Sequence, residues 1–243
     1  MGGGDTTGVM MTQGAAGRAF LARSIPADAE RALAVASAAG NIALVLARQV
    51  PFVLDLTTAV IDHRATTAND PSRHRVVSSV TALPFAADSF DLVVCSGLLH
   101  RIAAPLPPLR EFARVCRPGG LLLLSDHFGD EDPQRAAEQN AIERLRDPSH
   151  VWSYPPSELA AIIRAGGLTI RGVETMAARS DVDEWLAIAG TTADSAKLIR
   201  ERLMDTIADD RAGLAPQWEA GRLTLTRKIA WIVAAVPGGA GTP

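Results

Sequence analysis

At 243 residues the chain is long enough to bury one substantial core, and its content of 47% hydrophobic and 21% charged residues is typical of a globular protein. The net charge of −3, with basic residues scattered along the chain, gives no electrostatic reason to expect a nucleic acid or a membrane surface as a partner. We therefore predict a single domain and exclude nucleic-acid and membrane-surface binding as leading functions.

The ends of this domain follow from local composition. Residues 1–20 lack both the basic start and the continuous apolar core of a signal peptide, so they are predicted to form a flexible leader. A matching flexible tail is predicted over 238–243, which leaves the domain at 21–237.

Two further features bear on the compartment. The apolar run at 32–54 is divided by Gly40 and Pro51, so no transmembrane helix is predicted there. Cys95 and Cys116 lie in apolar surroundings without disulfide or metal spacing, which favours buried, reduced thiols. A cytoplasmic protein is the expected result.

Short apolar runs alternate with helical patterns in the middle of the chain, which is typical of crossover units that build a mostly parallel sheet. Strands are predicted at 32–37, 51–55, 75–78, 90–95 and 121–125. Helices are predicted at 40–48 and 106–116, with a brief helix between the second and third strands.

The pattern changes after the fifth strand. Asp132 and Pro133 have the N-cap and first-position chemistry of a helix that stops at Pro148, and a second helix ends at Gly166. A strand, a helix and a last strand are predicted at 168–176, 193–209 and 222–236. Residues 147–220 are assigned to substrate-side insertions and C-terminal helices.

Two long motifs point to a known family. From "VTALPFAADSFDLVVCSGLLHRI" through "LREFARVCRPGGLLLLSDHFGDEDP" the sequence resembles class I S-adenosylmethionine (SAM)-dependent methyltransferases, in the ubiquinone/menaquinone C-methyltransferase-like (methyltransferase type 11) group. The later "RLRDPSHVWSYPPSEL" is similar to one bacterial subgroup. The resemblance implies an α/β, Rossmann-like fold with a seven-stranded, mostly parallel sheet, an antiparallel last strand and helices on both faces.

The resemblance also implies where a cofactor would lie, and here the sequence departs from the family. The acid that ends the first strand is replaced by Ala34, and of the glycine-rich turn only Gly40 is preserved, with Ala36 and Ala38 at the other positions. At the third strand Ser79 occupies the position of the acid that bonds adenine. The remaining predicted cofactor-binding residues are Asp55, which matches the ribose-binding acid, Leu56, Val80 and Ser96.

These departures weaken the expected affinity for SAM. Loss of a charged partner from a buried hydrogen bond costs about 1.5–3 kcal/mol, and a methyl group forced into a tight turn costs about 1–3 kcal/mol. With a weaker adenine contact added, the expected loss is on the order of two to four decades in affinity.

An open parallel sheet places its ligand beyond the carboxyl ends of the strands, near the point where strand order reverses. The predicted proton-handling residues at this edge are His100, His127, Asp126 and Tyr154. The predicted substrate-binding residues are Leu99, Arg101, Phe128, His150 and Trp152. No pair of histidines has the spacing of a zinc site, so no metal is predicted.

Alternatives remain open for three of these features. Asp55 is either a pocket residue or the cap of the turn "LTT". His100 is either a general base or a packed loop histidine. The segment 150–154 is either an aromatic wall over the crevice or a surface loop attached through Trp152.

The leading hypothesis is a tailoring enzyme of secondary metabolism that binds a small-molecule substrate and catalyses cyclisation, isomerisation, elimination or hydration, with no cofactor required. The first alternative is an active C- or O-methyltransferase that uses SAM. The second is a non-catalytic binding or partner protein. A homodimer is possible in each case.

Overall fold

A computed structural model describes residues 15–36, 42–57 and 74–238. The strands are β1 (Arg31–Ala36), β2 (Phe52–Thr57), β3 (His74–Val77), β4 (Phe90–Ser96), β5 (Cys116–His127), β6 (Thr169–Asp181), β7 (Gln217–Glu219) and β8 (Arg222–Ala235). The helices are α1 (Ala15–Ser24), α2 (Ile42–Leu46), α3 (Leu106–Val115), α4 (Pro133–Arg146), α5 (Pro156–Ala165), α6 (Val182–Ala189) and α7 (Ala193–Asp205), with a short 3₁₀ helix at Leu99–Arg101.

The strands form one mixed sheet in the order β3-β2-β1-β4-β5-β8-β6. Strands β1 to β5 pair in parallel, while β8 runs antiparallel to both β5 and β6. This order confirms the predicted Rossmann-like class I methyltransferase fold. The short β7 pairs with the start of β8 and is an eighth strand that the sequence did not predict.

Helices cover both faces of the sheet, as expected. On one face α3 and α5 pack through apolar side chains such as Phe112 and Ile163 onto alternate residues of the parallel strands. On the other face α1 and α2 pack through side chains such as Phe20 and Leu46. The alternation of the two sets along each strand follows from the period of two in an extended chain.

Helix α1 corrects the predicted leader. Residues 1–20 were expected to be flexible, but the described part of the chain is already helical from Ala15. Phe20 and Leu21 are buried, and the Phe20 ring stacks on Trp231 of β8 at 5.5 Å between ring centroids. Burial of these two apolar side chains against the sheet explains why a segment without a strong helical pattern is ordered.

A third apolar cluster lies outside the sheet faces. It joins α4, α6 and α7 to the start of β8 through residues such as Ile142, Trp185, Ile199 and Leu225. We call α4, α6 and α7 the cap. Because β5 pairs with β8 only from Ile229 onward, the first half of β8 extends past the carboxyl end of β5, and the cap packs on this extension.

Asp91 lies at the start of β4 and links the amino ends of β1, β4 and β5. Its carboxylate accepts hydrogen bonds from the amides of Glu30 and Arg31 at 2.9 and 2.8 Å and from Nε of Arg117 at 2.6 Å. Burial opposes its ionisation, but these hydrogen bonds and the Arg117 charge outweigh burial and hold the pKa of Asp91 below its usual range. Asp91 therefore has a structural role.

Gly120, in the "RPGG" stretch within the first residues of β5, offers a test of this packing. A Cβ atom there would lie 2.6 Å from Sγ of Cys116 and 2.8 Å from the carbonyl oxygen of Asp91. We expect Gly120→Ala to lower the free energy of unfolding by about 2 kcal/mol, because backbone atoms must shift to admit the methyl group. Urea unfolding measures this loss. Gly172→Ala is the matched control, since a Cβ there meets nothing within 4 Å; equal midpoints for the two variants would contradict the prediction.

Both cysteines are buried and free, as predicted. Among the helices that the structure describes, none combines the length and apolar character needed to cross a membrane.

Candidate active site

The carboxyl ends of β1, β4 and β5 meet at one edge of the sheet, where the strand order reverses. Ala36 pairs in register with Ser96, and Ser96 pairs with Ser125. The chain then turns sharply at Gly97, which has φ 63° and donates its amide to the carbonyl of Ser125 at 2.7 Å. We call the space beyond these strand ends the crevice.

The predicted cofactor residues on β1 and β2 differ in polarity: β2 carries a carboxylate and β1 carries alanine. Asp55 is buried near the end of β2, beside Leu56. Ala34 is its register partner on β1, and its methyl group is fully buried in the apolar cluster under α2. The β1 end therefore offers no carboxylate at this position for an ammonium group.

At the end of β3, Ser79 is exposed and its hydroxyl is shared with Thr81. Their hydroxyl oxygens are 2.8 Å apart, and the Thr81 amide also donates to Oγ of Ser79 at 3.2 Å. The neighbouring Val80 is buried in the core. A neutral hydroxyl that already closes a local turn is a weak adenine partner compared with a free carboxylate.

The residues present therefore fit SAM only in part. Asp55 suits the ribose, Val80 and Ser79 offer a partly apolar adenine contact, and Ala34 supplies no charge for the methionine end. Ala38 and Gly40 lie outside the described residues, and for Ala36 only the backbone is described.

His100 and Asp126 form a buried pair between the ends of β4 and β5. Nδ1 of His100 lies 2.5 Å from Oδ1 of Asp126, and both side chains are about 6% exposed. Asp126 also accepts the backbone amides of Leu99 at 2.7 Å, of His100 at 3.3 Å and of His127 at 2.8 Å. One carboxylate thus orders the 3₁₀ helix and orients the His100 ring.

The charge of Asp126 fixes which nitrogen of His100 carries a proton. Burial opposes its ionisation, but the His100 charge and hydrogen bond, together with His127, outweigh burial and lower the pKa of Asp126. An ionised carboxylate only accepts hydrogen bonds, so Nδ1 of His100 donates to Asp126 and Nε2 is the ring nitrogen left for a substrate. This is the arrangement of a general base held by an orienting acid.

Nε2 of His100 is the ring nitrogen that the contact with Asp126 leaves available for another partner. Within 15–36, 42–57 and 74–238, the side-chain nitrogens and oxygens that are closed to solvent and lack a hydrogen-bond partner belong to Arg101, Gln139, Ser153 and Trp231. Nε2 of His100 is not one of these atoms.

His127 lies beside this pair but has a different character. Its ring meets the His100 ring edge-on at 5.4 Å between centroids. Burial and the neighbouring positive charges lower the pKa of His127 to about 3, so it is neutral near pH 7 and weakly basic. Of the two predicted histidines, geometry favours His100 as the base and leaves His127 as a neutral hydrogen-bonding group.

The segment after α4 packs directly on these residues. The amides of Val151 and Trp152 both donate to the carbonyl of His100, at 2.8 and 3.0 Å, and the His150 ring stacks on the His100 ring at 5.5 Å. Trp152 is partly buried against the core. The segment is therefore attached to the crevice through His100 as well as through Trp152, which excludes a loop held by Trp152 alone.

Other predicted residues have structural contacts. The hydroxyl of Tyr154 donates to the carbonyl of Ile102 over 3.5 Å, and burial raises the pKa of Tyr154. Leu99 is buried in the core, with its amide bonded to Asp126. The guanidinium of Arg101 pairs with Asp147 at 2.7 Å and also donates to Ser149. These contacts leave the proposed roles of the three residues as predictions.

Phe128 is partly buried against the core at the end of β5, and its carbonyl accepts Nε2 of Gln139 at 3.2 Å. That contact belongs to a set of buried polar residues on α4 that the sequence did not single out: Gln139, Asn140 and Glu143. Glu143 pairs with Arg146 at 2.8 Å; burial opposes its ionisation, but Arg146 and two histidines outweigh burial and lower its pKa to about 2. Gln139 and Asn140 lie four and three residues before Glu143 in "EQNAIER", and this spacing was the available signal.

A polar cleft of about 490 Å³ lies between α4 and α7, away from the crevice. Side chains of both signs line it, among them Asp132, Arg135, Arg202 and Asp209, and none of the predicted site residues does so. In the described part of the chain no group of three or more His, Cys, Asp or Glu side chains is arranged to hold a metal ion.

The strand order, the antiparallel β8 and the crevice at the carboxyl ends of the parallel strands define a class I SAM-dependent methyltransferase fold. A methyltransferase domain family matches residues 33–124. YcgJ of Bacillus subtilis, named an uncharacterized methyltransferase, is 32% identical over 174 residues, which cover 70% of this chain and 69% of YcgJ. This chain belongs to that methyltransferase family.

Other relatives agree with this assignment. The C-methyltransferase UbiE of Dinoroseobacter shibae is 34% identical over 107 residues, which cover 41% of this chain and 43% of UbiE. The crystal structure of YcgJ superimposes with a TM-score of 0.81 at 25% identity, over 91% of this chain and 98% of YcgJ. The [4+2]-cyclase SpnF shares the fold, with a TM-score of 0.64 at 20% identity, over 93% of this chain and 84% of SpnF.

Proposed function

We propose that this protein is a small-molecule tailoring enzyme on a methyltransferase scaffold, and that its crevice catalyses a cyclisation, isomerisation, elimination or hydration without transferring a methyl group. One observation carries the proposal: Ala34, where the family has an acid, buries a methyl group in an apolar cluster. The exposed, self-paired hydroxyl of Ser79 supports it from the adenine side.

The chemistry follows from the residues at the strand ends. His100, with Nδ1 held by Asp126, removes a proton from the substrate through Nε2. The neutral His127 beside it donates or accepts a hydrogen bond without competing for that proton. Phe128 and Trp152 supply apolar surface that positions the substrate. The name of SpnF, a [4+2]-cyclase, indicates that this fold supports such chemistry in another protein.

Calorimetric titration with SAM and S-adenosylhomocysteine tests the proposal. We expect no saturable binding up to about 1 mM, because two to four decades of lost affinity turn a micromolar ligand into a millimolar one. Ser79→Asp, at an exposed position, is expected to tighten binding by about tenfold by restoring a charged acceptor. Binding of SAM at micromolar concentration by the native protein would overturn the proposal.

An active SAM-dependent methyltransferase is the second candidate. The buried Asp55 at the ribose position favours it, and so does the methyltransferase name of the 32% identical YcgJ. In that case the crevice binds SAM tightly and Asp55→Ala weakens binding by at least tenfold, since the ribose loses its carboxylate partner. The Asp55→Ala titration therefore distinguishes binding in the crevice from binding elsewhere.

A further inference from the structure

We propose that Asn140 and His150 are positioning residues for the His100 base: Asn140 fixes His150 as the tautomer with its proton on Nε2, and the His150 ring, stacked on His100, holds Nε2 of His100 towards the crevice. The inference deepens the proposed function and rests on it only in taking His100 as the base. Neither residue touches the reacting atoms in this assignment.

The orientation of the Asn140 amide is set by its backbone partners. The Ser153 amide lies 2.6 Å from Oδ1 of Asn140, and an N–H group can only donate, so this atom is the oxygen. Nδ2 of Asn140 donates to the carbonyl of Ala136 at 2.8 Å, which agrees with the same orientation. Asn140 is fully buried, so its amide has no water with which to exchange these partners.

This orientation determines the state of His150. Nε2 of His150 lies 2.7 Å from Oδ1 of Asn140. Because Oδ1 only accepts, Nε2 of His150 must carry a proton. His100 has the opposite arrangement, since Asp126 holds the proton on Nδ1. The two stacked histidines therefore hold a proton on different ring nitrogens, each fixed by its own acceptor.

The stack leaves His100 little freedom. The His150 ring lies 5.5 Å from the His100 ring with an angle of 29° between their planes, and the His127 ring meets His100 edge-on. The segment that carries His150 is bonded to the carbonyl of His100 by two amides. The bond from Nδ1 to Asp126 and the two neighbouring rings therefore hold the His100 ring in one orientation.

A neutral His150 suits this role. Burial and the charges of His100, Arg146 and Arg144 outweigh the opposing charge of Glu143 and lower the pKa of His150 to about 4. When His100 takes a proton from substrate, it therefore meets an uncharged ring on its stacked face. A second charged imidazole there would oppose the proton transfer.

Nitrogen NMR of the full-length protein labelled with ¹⁵N-histidine reads the tautomers directly and needs no substrate. The chain has five histidines, so single His→Gln variants assign every ring. Near neutral pH we expect His150 to be protonated on Nε2 and bare on Nδ1, and His100 to carry a proton on Nδ1. A charged His150, or one protonated on Nδ1, would overturn the proposal.

Asn140→Asp tests the role of the amide. A carboxylate at this position is expected to draw a second proton onto His150, which shifts both of its nitrogen signals to the charged form. Gln134→Glu adds the same charge at an exposed position of α4 and is expected to leave His150 unchanged. A folded Asn140→Asp protein with a neutral His150 contradicts the assignment; if this variant does not fold, the native spectrum still decides the tautomers.

The stack has its own test. In His150→Ala the His100 ring signals are expected to broaden as the ring gains motion, whereas His150→Phe preserves a flat surface and keeps them narrow. Equally narrow signals in both variants contradict the positioning role. None of these spectra involves SAM. Micromolar SAM binding would therefore overturn the proposed function and leave the histidine arrangement intact. A charged His150 would overturn the histidine arrangement and leave the test of SAM binding unaffected.

Discussion

Asp126→Asn is expected to lower the free energy of unfolding by about 3 kcal/mol, because a buried carboxylate that satisfies several donors is replaced by an amide with one oxygen. The amides of Leu99, His100 and His127 and the ring of His100 all depend on this group. In a domain of this size such a loss lowers Tm by about 6–12 °C. Urea and thermal unfolding of the variant measure it.

Asp209→Asn is the matched control for this variant. Asp209 is 54% exposed and its pair with Arg211 is solvated, so the control is expected to stay within about 0.5 kcal/mol of the native protein. The same Asp126→Asn variant is expected to reduce turnover of a substrate by about 10²–10⁴-fold through loss of the oriented base. A midpoint for Asp126→Asn equal to that of the control would contradict the buried network.

The second large effect is a loss of stability in mild acid. His127 and His150 have folded pKa values lowered to about 3 and about 4, mainly by burial, whereas an unfolded histidine titrates near 6.5. Below about pH 6.5 the unfolded chain therefore binds more protons than the folded one, so stability falls as the pH falls towards the folded values. Between pH 7 and about pH 5, each of these two histidines is expected to lower the free energy of unfolding by about 2 kcal/mol.

Glu143 extends this loss into a second pH window. Its folded pKa of about 2 lies below the ordinary value of 4.5, so its stabilising contribution is lost only as the pH falls from about 4.5 towards 2. Urea unfolding at about pH 7, 6 and 5 isolates the histidine window.

His127→Gln identifies the residues responsible for the acid effect. Removing one of the two buried imidazoles is expected to reduce the difference in stability between pH 7 and pH 5 by about half. His74→Gln, which removes an imidazole from an exposed position on β3, is the matched control. The explanation fails if His127→Gln has the same pH dependence as the native protein.

The part of the site that sequence reasoning located comes from adjacent parallel strands. His100 follows β4 and Asp126 ends β5, and parallel neighbours bring their carboxyl ends together, so their proximity could be predicted from topology. The burial of this pair could not be predicted, because it depends on how the segment around His150 folds back over the two residues.

The cap shows what local patterns leave out. Helix α6 was not predicted, although Asp181 caps it by accepting the amides of Asp183 and Glu184, and Gly190 ends it with φ 66°. Those end signals were present in the sequence, and the short apolar stretch between them was not recognised. Asn140 and Glu143 fall within a predicted helix but were not singled out, and the structure shows both of them buried.

The extension of β8 past β5 separates the cap from the ends of the parallel strands. His100 and Asp126 lie at the ends of β4 and β5, while the cap is carried by the projecting half of β8 and by β6 beside it. Insertions or deletions between α6 and β7 therefore change the shape of the cap without shifting the strand ends that hold His100 and Asp126. On this architecture the cap can change through loop length while the contact between His100 and Asp126 is retained.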